Sequence, residues 1–469
     1  MIPYIEAENT VYSGMCPQNG SDPLWCSSSC CIGRIGDRVL ATGQEKLPGI
    51  EPLNDTRWTL HELVDGNWQR VLDDPVDRTR EPCPLAVFPD GRLFISANPD
   101  VSRAGGQPDQ ARPEILEIDT ANPGVPIRRH VPIWDNAPPF THHSYRAFAA
   151  DADEQELILF QNVGSDHSAW ALLDRDAQWL TGELPWPAYE DGTFEVYDSG
   201  RSCVNYMTAA LHNRQAHVCG VSPHNKWRRV RDNPDLMGRR WGNRFRRLQY
   251  TWTPAVGEAP FSDWLVVDHT EDTGGWLFPG DMHLAPDGSV HLLYTRLPID
   301  QELRDLHFPD IPRVYSLEYA CLRDGHVTTR RTLAIGGEGH GPTIPYDLAG
   351  EGLTYRWRSV PLRTSRIPTP RFHATPSGRL CAIFYVSGTD AAGNPLAQNR
   401  MVEIGPDEHP PLAVTLPLQH PFVQYYTASP RAGSPVSDTI DFLGFRTDGL
   451  GLFDDRPTTI SYARLRIEE

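Results

Sequence analysis

The chain has 469 residues, 38 of them glycine and 43 proline. Long helices do not tolerate that density, because proline removes a backbone donor and glycine costs backbone entropy. A composition 39% hydrophobic with 13 tryptophans excludes a disordered chain, and a net charge of −18 disfavours nucleic acid and anionic membranes.

From the amino terminus, Met1 to Glu6 lacks the basic and apolar regions of a secretory signal. Cytoplasmic residence is expected, or a secreted or periplasmic one whose leader has been removed. No apolar run approaches the roughly 18 residues of a membrane-spanning helix. Nine cysteines follow at 16, 26, 30, 31, 83, 203, 219, 321 and 381. Their odd number argues against a closed disulfide framework, and their spacing is not that of a zinc ribbon. They read as buried thiols first, with a local disulfide or a metal site as alternatives.

Seven stretches then repeat one pattern: a short apolar strand, a tight turn, and a second apolar strand. They begin near residues 31, 85, 145, 207, 283, 372 and 440. The clearest are 85–96 around Pro89-Asp90-Gly91, 283–294 around Pro286-Asp287-Gly288, and 372–385 around Pro376-Ser377-Gly378. Asp-Gly supplies the positive φ of a tight hairpin, and the flanking runs suit half-buried strands. The spacing leaves room for four strands per unit. The expected fold is all-β, a single seven-bladed β-propeller over residues 1–469 with the two chain ends sharing one blade. A large β-sandwich or two β domains are the alternatives.

In a propeller the first strand of each blade lines a central channel, whose entrance is a natural place for chemistry. The polar residues beginning those strands are His142, His143, Tyr145 and Arg146, then Asn205 and Tyr206, then Asp281 and His283, then Arg371 and His373, then Asp438 and Asp441. They can satisfy strand ends or one another. Taken together they can also remove a proton next to a carboxylate. Arg371 would neutralise the carboxylate, His143 or His283 would act as base, and Tyr145 or Tyr206 as acid, with His373 in the same set. That chemistry is β-elimination from a uronate-containing glycan. A hydrolase would draw instead on Asp281, Asp438 and Asp441. A divalent cation (Ca, Mn or Zn) is a further expectation, if His143, His283, His373 and Asp281 meet at the axis.

One segment stands out against the acidic whole. Between Lys226 and Arg247 lie nine basic residues interleaved with Trp227 and Trp241. Arginine forks match carboxylate and sulfate, and tryptophan stacks on sugar faces, so a subsite for an acidic oligo- or polysaccharide is expected. A solvated loop or a subunit contact is the alternative. His142, Arg146, Asn205 and Asp281 join the two tryptophans as candidate substrate contacts.

The strand–Asp-Gly–strand repeats, with Arg366-Ile367-Pro368 and Gly280-Asp281-Met282-His283, resemble the bacterial-neuraminidase-repeat propellers. His143-Ser144-Tyr145 and the Gly-x-Met-His tetrapeptide are similar to ulvan-lyase-type polysaccharide lyases and to propellers that cleave rhamnose from glucuronic acid. The resemblance implies seven blades, a His/Tyr/Arg site at the channel mouth and an anionic plant or algal glycan. The Asp-box of true sialidases is absent, and Arg-Ile-Pro stands late in the chain. Elimination is therefore the first expectation and glycoside hydrolysis the second. A non-catalytic propeller binding glycan or protein is the competing class.

Overall fold

The computed structural model describes residues 2–15, 17, 19, 21, 23–26, 29–50, 53–74, 78–101, 110–122, 125, 127–164, 166–188, 200–223, 245–299, 304, 307–312, 314–337, 370–389, 395–405, 413–446 and 457–468. Among these, the strands form seven antiparallel sheets of four. The chain opens with β1 (Ile2–Met15). Blade 1 follows as β2 (Ile32–Ile35), β3 (Arg38–Lys46), β4 (Thr56–Val64) and β5 (Asn67–Asp73). Blade 2 is β6 (Leu85–Val87), β7 (Arg92–Ala97), β8 (Glu114–Asp119) and β9 (Arg128–His130). Blade 3 is β10 (Ala147–Asp151), β11 (Glu156–Val163), β12 (His167–Leu173) and β13 (Trp179–Pro185). Blade 4 is β14 (Asn205–His212), β15 (Gln215–Pro223), β16 (Phe245–Thr253) and β17 (Leu265–His269). Blade 5 is β18 (Trp276–Leu284), β19 (Val290–Leu297), β20 (Val314–Arg323) and β21 (His326–Gly337). Blade 6 is β22 (Arg371–Ala374), β23 (Leu380–Thr389), β24 (Pro395–Glu403) and β25 (Val414–Thr415). Blade 7 is β26 (Phe422–Thr427), β27 (Thr439–Arg446) and β28 (Pro457–Glu468), with β1 as its outermost strand.

The first strands of the blades touch in sequence, β2 to β6 to β10 to β14 to β18 to β22 to β26, and β26 returns to β2. The ring is closed by hydrogen bonding β1 to β28, which joins the two ends of the chain. The fold is a seven-bladed β-propeller.

No blade buries its apolar faces alone. Seven hydrophobic clusters each join two neighbouring blades. Between blades 2 and 3, for instance, Phe88, Phe94 and Ile115 pack against Phe148, Leu157 and Leu159. Burial of several large side chains per interface, at about 1.5–3 kcal/mol each, is what holds the ring.

Two inserted segments occupy the channel. Residues 24–26 and 29–31 enter from the amino-terminal side. There Ser29 Oγ accepts from Phe148 N (2.9 Å), Cys30 O accepts from Leu85 N (2.8 Å), and Tyr426 Oη donates to Leu24 O (2.7 Å). Residues 428–438, between β26 and β27, carry a short 3-10 turn, Pro430–Ala432, that touches β6, β10, β14 and β18. Within this segment, Arg431 forms a buried ion pair with Asp281 (2.8 Å).

Two blade starts differ from the sequence expectation. Ile440 lies in β27, the second strand of blade 7, whose inner strand is β26. His283 lies near the end of β18, which begins at Trp276 and absorbs Pro279 and Gly280 in a register irregularity.

Candidate active site

Inner strands run from one end of the ring to the other, so a residue's position along its strand decides which end it reaches. Asn162, at the end of β11, donates to Val204 O and Asn205 Oδ1 at the start of β14 (3.2 Å each). Conversely Asn213 N, in the β14–β15 turn, donates to Asp151 Oδ2 at the end of β10 (2.6 Å). Strand starts therefore share one end, called the mouth here, and first hairpin turns share the other.

At the mouth, five aromatic rings meet. Trp25, from the channel-filling segment, stacks face to face on His143, with centroids 5.0 Å apart and planes at 9°. Tyr145 stands edge-on to His143 (4.3 Å) and to Tyr206 (5.2 Å), and Trp25 meets both tyrosines edge-on. Phe278 of β18 leans on Tyr206 at 4.8 Å. All five are half-buried.

Local backbone geometry aims these side chains. Residues 142–146 alternate buried and half-exposed, so His143 and Tyr145 face outward while His142, Ser144 and Arg146 face in. Tyr145 (φ 45°) and Tyr206 (φ 52°) both sit in the left-handed region. Such strain in a bulky residue costs of order 1–3 kcal/mol and concentrates at functional sites. At Tyr206 it coincides with a register shift between Asn205 and Thr208, an irregularity of the kind that re-aims a side chain at a sheet rim.

Behind His143 lies a buried carboxylate. Glu81 Oε1 is 3.1 Å from His143 Nδ1 and accepts from Ser144 N at 2.8 Å, while Oε2 accepts from Ser144 Oγ. Burial pushes the Glu81 carboxyl up. The hydrogen bond and charge of His143, the charge of Arg146 and the Ser144 hydroxyl outweigh it, and the net shift is below the ordinary carboxylate range. Glu81 is therefore ionised, and it holds His143 by one ring nitrogen while the ring stays 26% exposed.

Neither Trp25 nor Glu81 was singled out from the sequence. Trp25 belongs to no repeat and left no signal. Glu81 had one: it precedes β6 by four residues, as His143 precedes β10.

The remaining expected site residues go elsewhere. Arg371 is 1% exposed in the channel wall, where Nε donates to Tyr425 O (3.1 Å), Nη1 to Gly280 O (2.8 Å), and the guanidinium lies 4.3 Å from the Tyr426 ring. It begins β22, at the mouth end of that strand, with its guanidinium buried in the wall. His283 and His373 sit next to last in β18 and β22, at the hairpin-turn end. Burial pushes both down, His373 to about 4. The expected convergence of His143, His283 and His373 on one centre therefore does not occur, because strand position sends them to opposite ends.

The carboxylates are likewise committed. Asp281 is paired with Arg431 and accepts from Phe372 N (2.9 Å). Asp441 is paired with Arg34 and Arg464 and accepts from Tyr462 Oη. Asp438 is exposed at the hairpin-turn end. Among the described residues no three His, Cys, Asp or Glu side chains converge as a metal site would require. The Ca, Mn or Zn set expected from His143, His283, His373 and Asp281 is thus split.

Of the expected substrate contacts, His142, Arg146 and Asn205 are buried. Arg146 donates to Pro82 O (2.6 Å) and Asn205 Oδ1 accepts from Asn162. Trp227 and Trp241, with the basic residues from Lys226 to Arg244, lie outside the described residues. At the end of that run Arg246 is buried and Arg247 is ion-paired with Glu271. Pro223 and Phe245, which flank the segment, are at the mouth end of blade 4, and Phe245 packs edge-on against Tyr206 (5.4 Å).

No family model matches the chain, and no curated protein matches it. Among solved structures, the polysaccharide lyase Uly1 aligns with a TM-score of 0.53 at 9% identity, covering 99% of this chain and 100% of that one. An α-L-arabinanase of Penicillium chrysogenum aligns with a TM-score of 0.42 at 10% identity, covering 98% of each chain. An α-L-arabinofuranosidase of Fusarium graminearum has a TM-score of 0.42 at 11% identity, covering 98% of this chain and 97% of that one. What the chain shares with Uly1 is its fold, the seven-bladed β-propeller.

Proposed function

We propose that this protein cleaves an acidic, uronate-containing glycan by β-elimination at the mouth. The observation that carries the reading is the half-exposed His143, held at Nδ1 by buried Glu81, stacked under Trp25 and set edge-on to Tyr145. Glu81 Oε1, 3.1 Å from Nδ1, orients the ring so that Nε2 acts as base. Nε2 takes the proton from the carbon next to the uronate carboxyl. That electron pair forms the new carbon–carbon double bond as the neighbouring bond to the glycosidic oxygen breaks. The Tyr145 phenol, with Tyr206 beside it, protonates the leaving oxygen. Trp25 and Phe278 offer apolar faces on which sugar rings stack.

Hydrolysis is the weaker reading, because it needs two carboxylates flanking the bond. Asp281 and Asp441 are locked in buried ion pairs, and Asp438 stands at the far end. The likeness to Uly1 agrees with the elimination reading without deciding it.

The test is a screen of uronate-containing glycans followed by ultraviolet absorbance and by reducing ends. Elimination yields both signals from the wild type. His143→Ala and Tyr145→Phe each lower turnover by about 10²–10⁴-fold with folding intact. Reducing ends without absorbance would make the enzyme a hydrolase. Glycan bound without any product would make it a binding protein. Full activity in both variants would remove the mouth as the catalytic site.

A further inference from the structure

The segment that seats Trp25 contains three cysteines, Cys26, Cys30 and Cys31, with no role in the chemistry above. Cys26 and Cys31 Sγ lie 3.1 Å apart, both buried in the apolar core between blades 7 and 1. The backbone brings them together: Cys26 N donates to Leu24 O (2.9 Å), and Ser29 N donates to Cys26 O (3.0 Å), the bond of a tight turn. Beyond the turn, Cys31 O accepts from Thr42 N (2.9 Å), tying this end of the segment to β3. The other described thiols nearby point elsewhere. Cys30 Sγ is directed at Thr427 O (3.8 Å) and Cys83 Sγ at Glu81 O (3.9 Å).

We propose that Cys26 and Cys31 form a disulfide that closes the channel-filling loop and fixes Trp25 above His143. A small side-chain rotation brings sulfurs at this separation to the ~2.05 Å of a bonded pair. The oxidant is a small-molecule disulfide such as oxidised glutathione. One cysteine thiolate attacks a glutathione sulfur and expels one glutathione thiolate. The second thiolate then attacks the mixed disulfide at the protein sulfur and expels the other. The protein loses two thiol hydrogens and two electrons, and oxidised glutathione becomes two thiols.

The order of events follows from burial. Burial first, then the hydrogen bond and charge of Cys31, hold the Cys26 thiol well above its usual range, so Cys26 in the native protein is poor in thiolate. Oxidation therefore precedes closure of the ring, and the finished bond is shielded from reductant until the protein unfolds.

The experiment needs no substrate, so its outcome is independent of the carbohydrate reading. The full chain is refolded in a glutathione redox buffer, then unfolded and alkylated without reductant. No Lys or Arg precedes Arg34, so trypsin releases residues 1–34 as one peptide containing Cys16, Cys26, Cys30 and Cys31. The expected peptide lacks alkyl groups on Cys26 and Cys31, carries one each on Cys16 and Cys30, and gains two more after reduction. Alkylation of Cys26 or Cys31, or a bond from either to Cys16, Cys30 or Cys83, overturns the proposal.

A melting comparison adds a second readout. Wild type refolded with reductant melts about 2–4 °C below the oxidised form. The Cys26→Ser/Cys31→Ser variant melts alike in both buffers. A wild type indifferent to reductant overturns the stapling role. Should the double variant fail to fold, the peptide map of the wild type still decides.

Discussion

His143 is constrained from three directions: Glu81 at Nδ1, Trp25 across one face and Tyr145 at its edge. Each constraint comes from a different stretch of chain, and Glu81 is the one an isosteric change removes most cleanly. Glu81→Gln keeps the shape and removes the charge. It should lower kcat by about 10–100-fold with little change in KM, since a positioning residue acts through its partner. Steady-state kinetics beside an unchanged melting curve check this, and an equal loss in KM would place Glu81 in substrate binding. That His143 and Tyr145 stand near one strand start was legible in the sequence, whereas their outward direction shows only in the burial of residues 142–146, all five of them polar. The left-handed backbone at Tyr145 and Tyr206 was not, because neither residue type announces a positive φ.

Among the elements, the hairpins 85–96, 283–294 and 372–385 were legible because Gly91, Gly288 and Gly378 take the positive φ their turns require. Strands β18 and β26 were read less well. His283 was placed at a strand start, yet β18 begins at Trp276 and takes Pro279 and Gly280 within it as a register irregularity, so His283 lies near its end. β26 is followed by the channel plug, not by a tight turn. That plug is sensitive to small changes. Gly433 has φ 83°, and a Cβ there would fall 1.8 Å from Val87 O. Gly433→Ala should destabilise by about 2 kcal/mol or more, read as a lower urea midpoint, and an unchanged midpoint would mean the plug does not fit tightly. Arg431→Met should cost about 3–5 kcal/mol, because it strands the buried Asp281 carboxylate. Restoring stability with Asp281→Asn in the same chain would identify the ion pair as the cause.

Across the molecule, four histidines among the described residues are pushed down to about 4 by burial: His61, His217, His291 and His373. Unfolded, each titrates near 6.5. Between those values the unfolded chain binds protons that the folded protein does not. Stability is therefore full above about pH 6.5 and declines as pH falls toward 4, by of order 1–2 kcal/mol per histidine at pH 5. Urea unfolding at pH 7 and pH 5 tests this, and equal midpoints would show that the sites open to water.

Sequence alone determined the strand pattern, the turn chemistry, the sevenfold count and the His143-Ser144-Tyr145 motif, because these depend on neighbours a few residues apart. Tertiary structure decided the rest. Closure through β1 and β28 and the seven inter-blade cores join residues far apart in the chain. Which residues share an end of the ring depends on strand direction and length, and this separates His283 and His373 from His143, holds Arg371 in the wall, and brings Trp25 and Glu81 to the mouth.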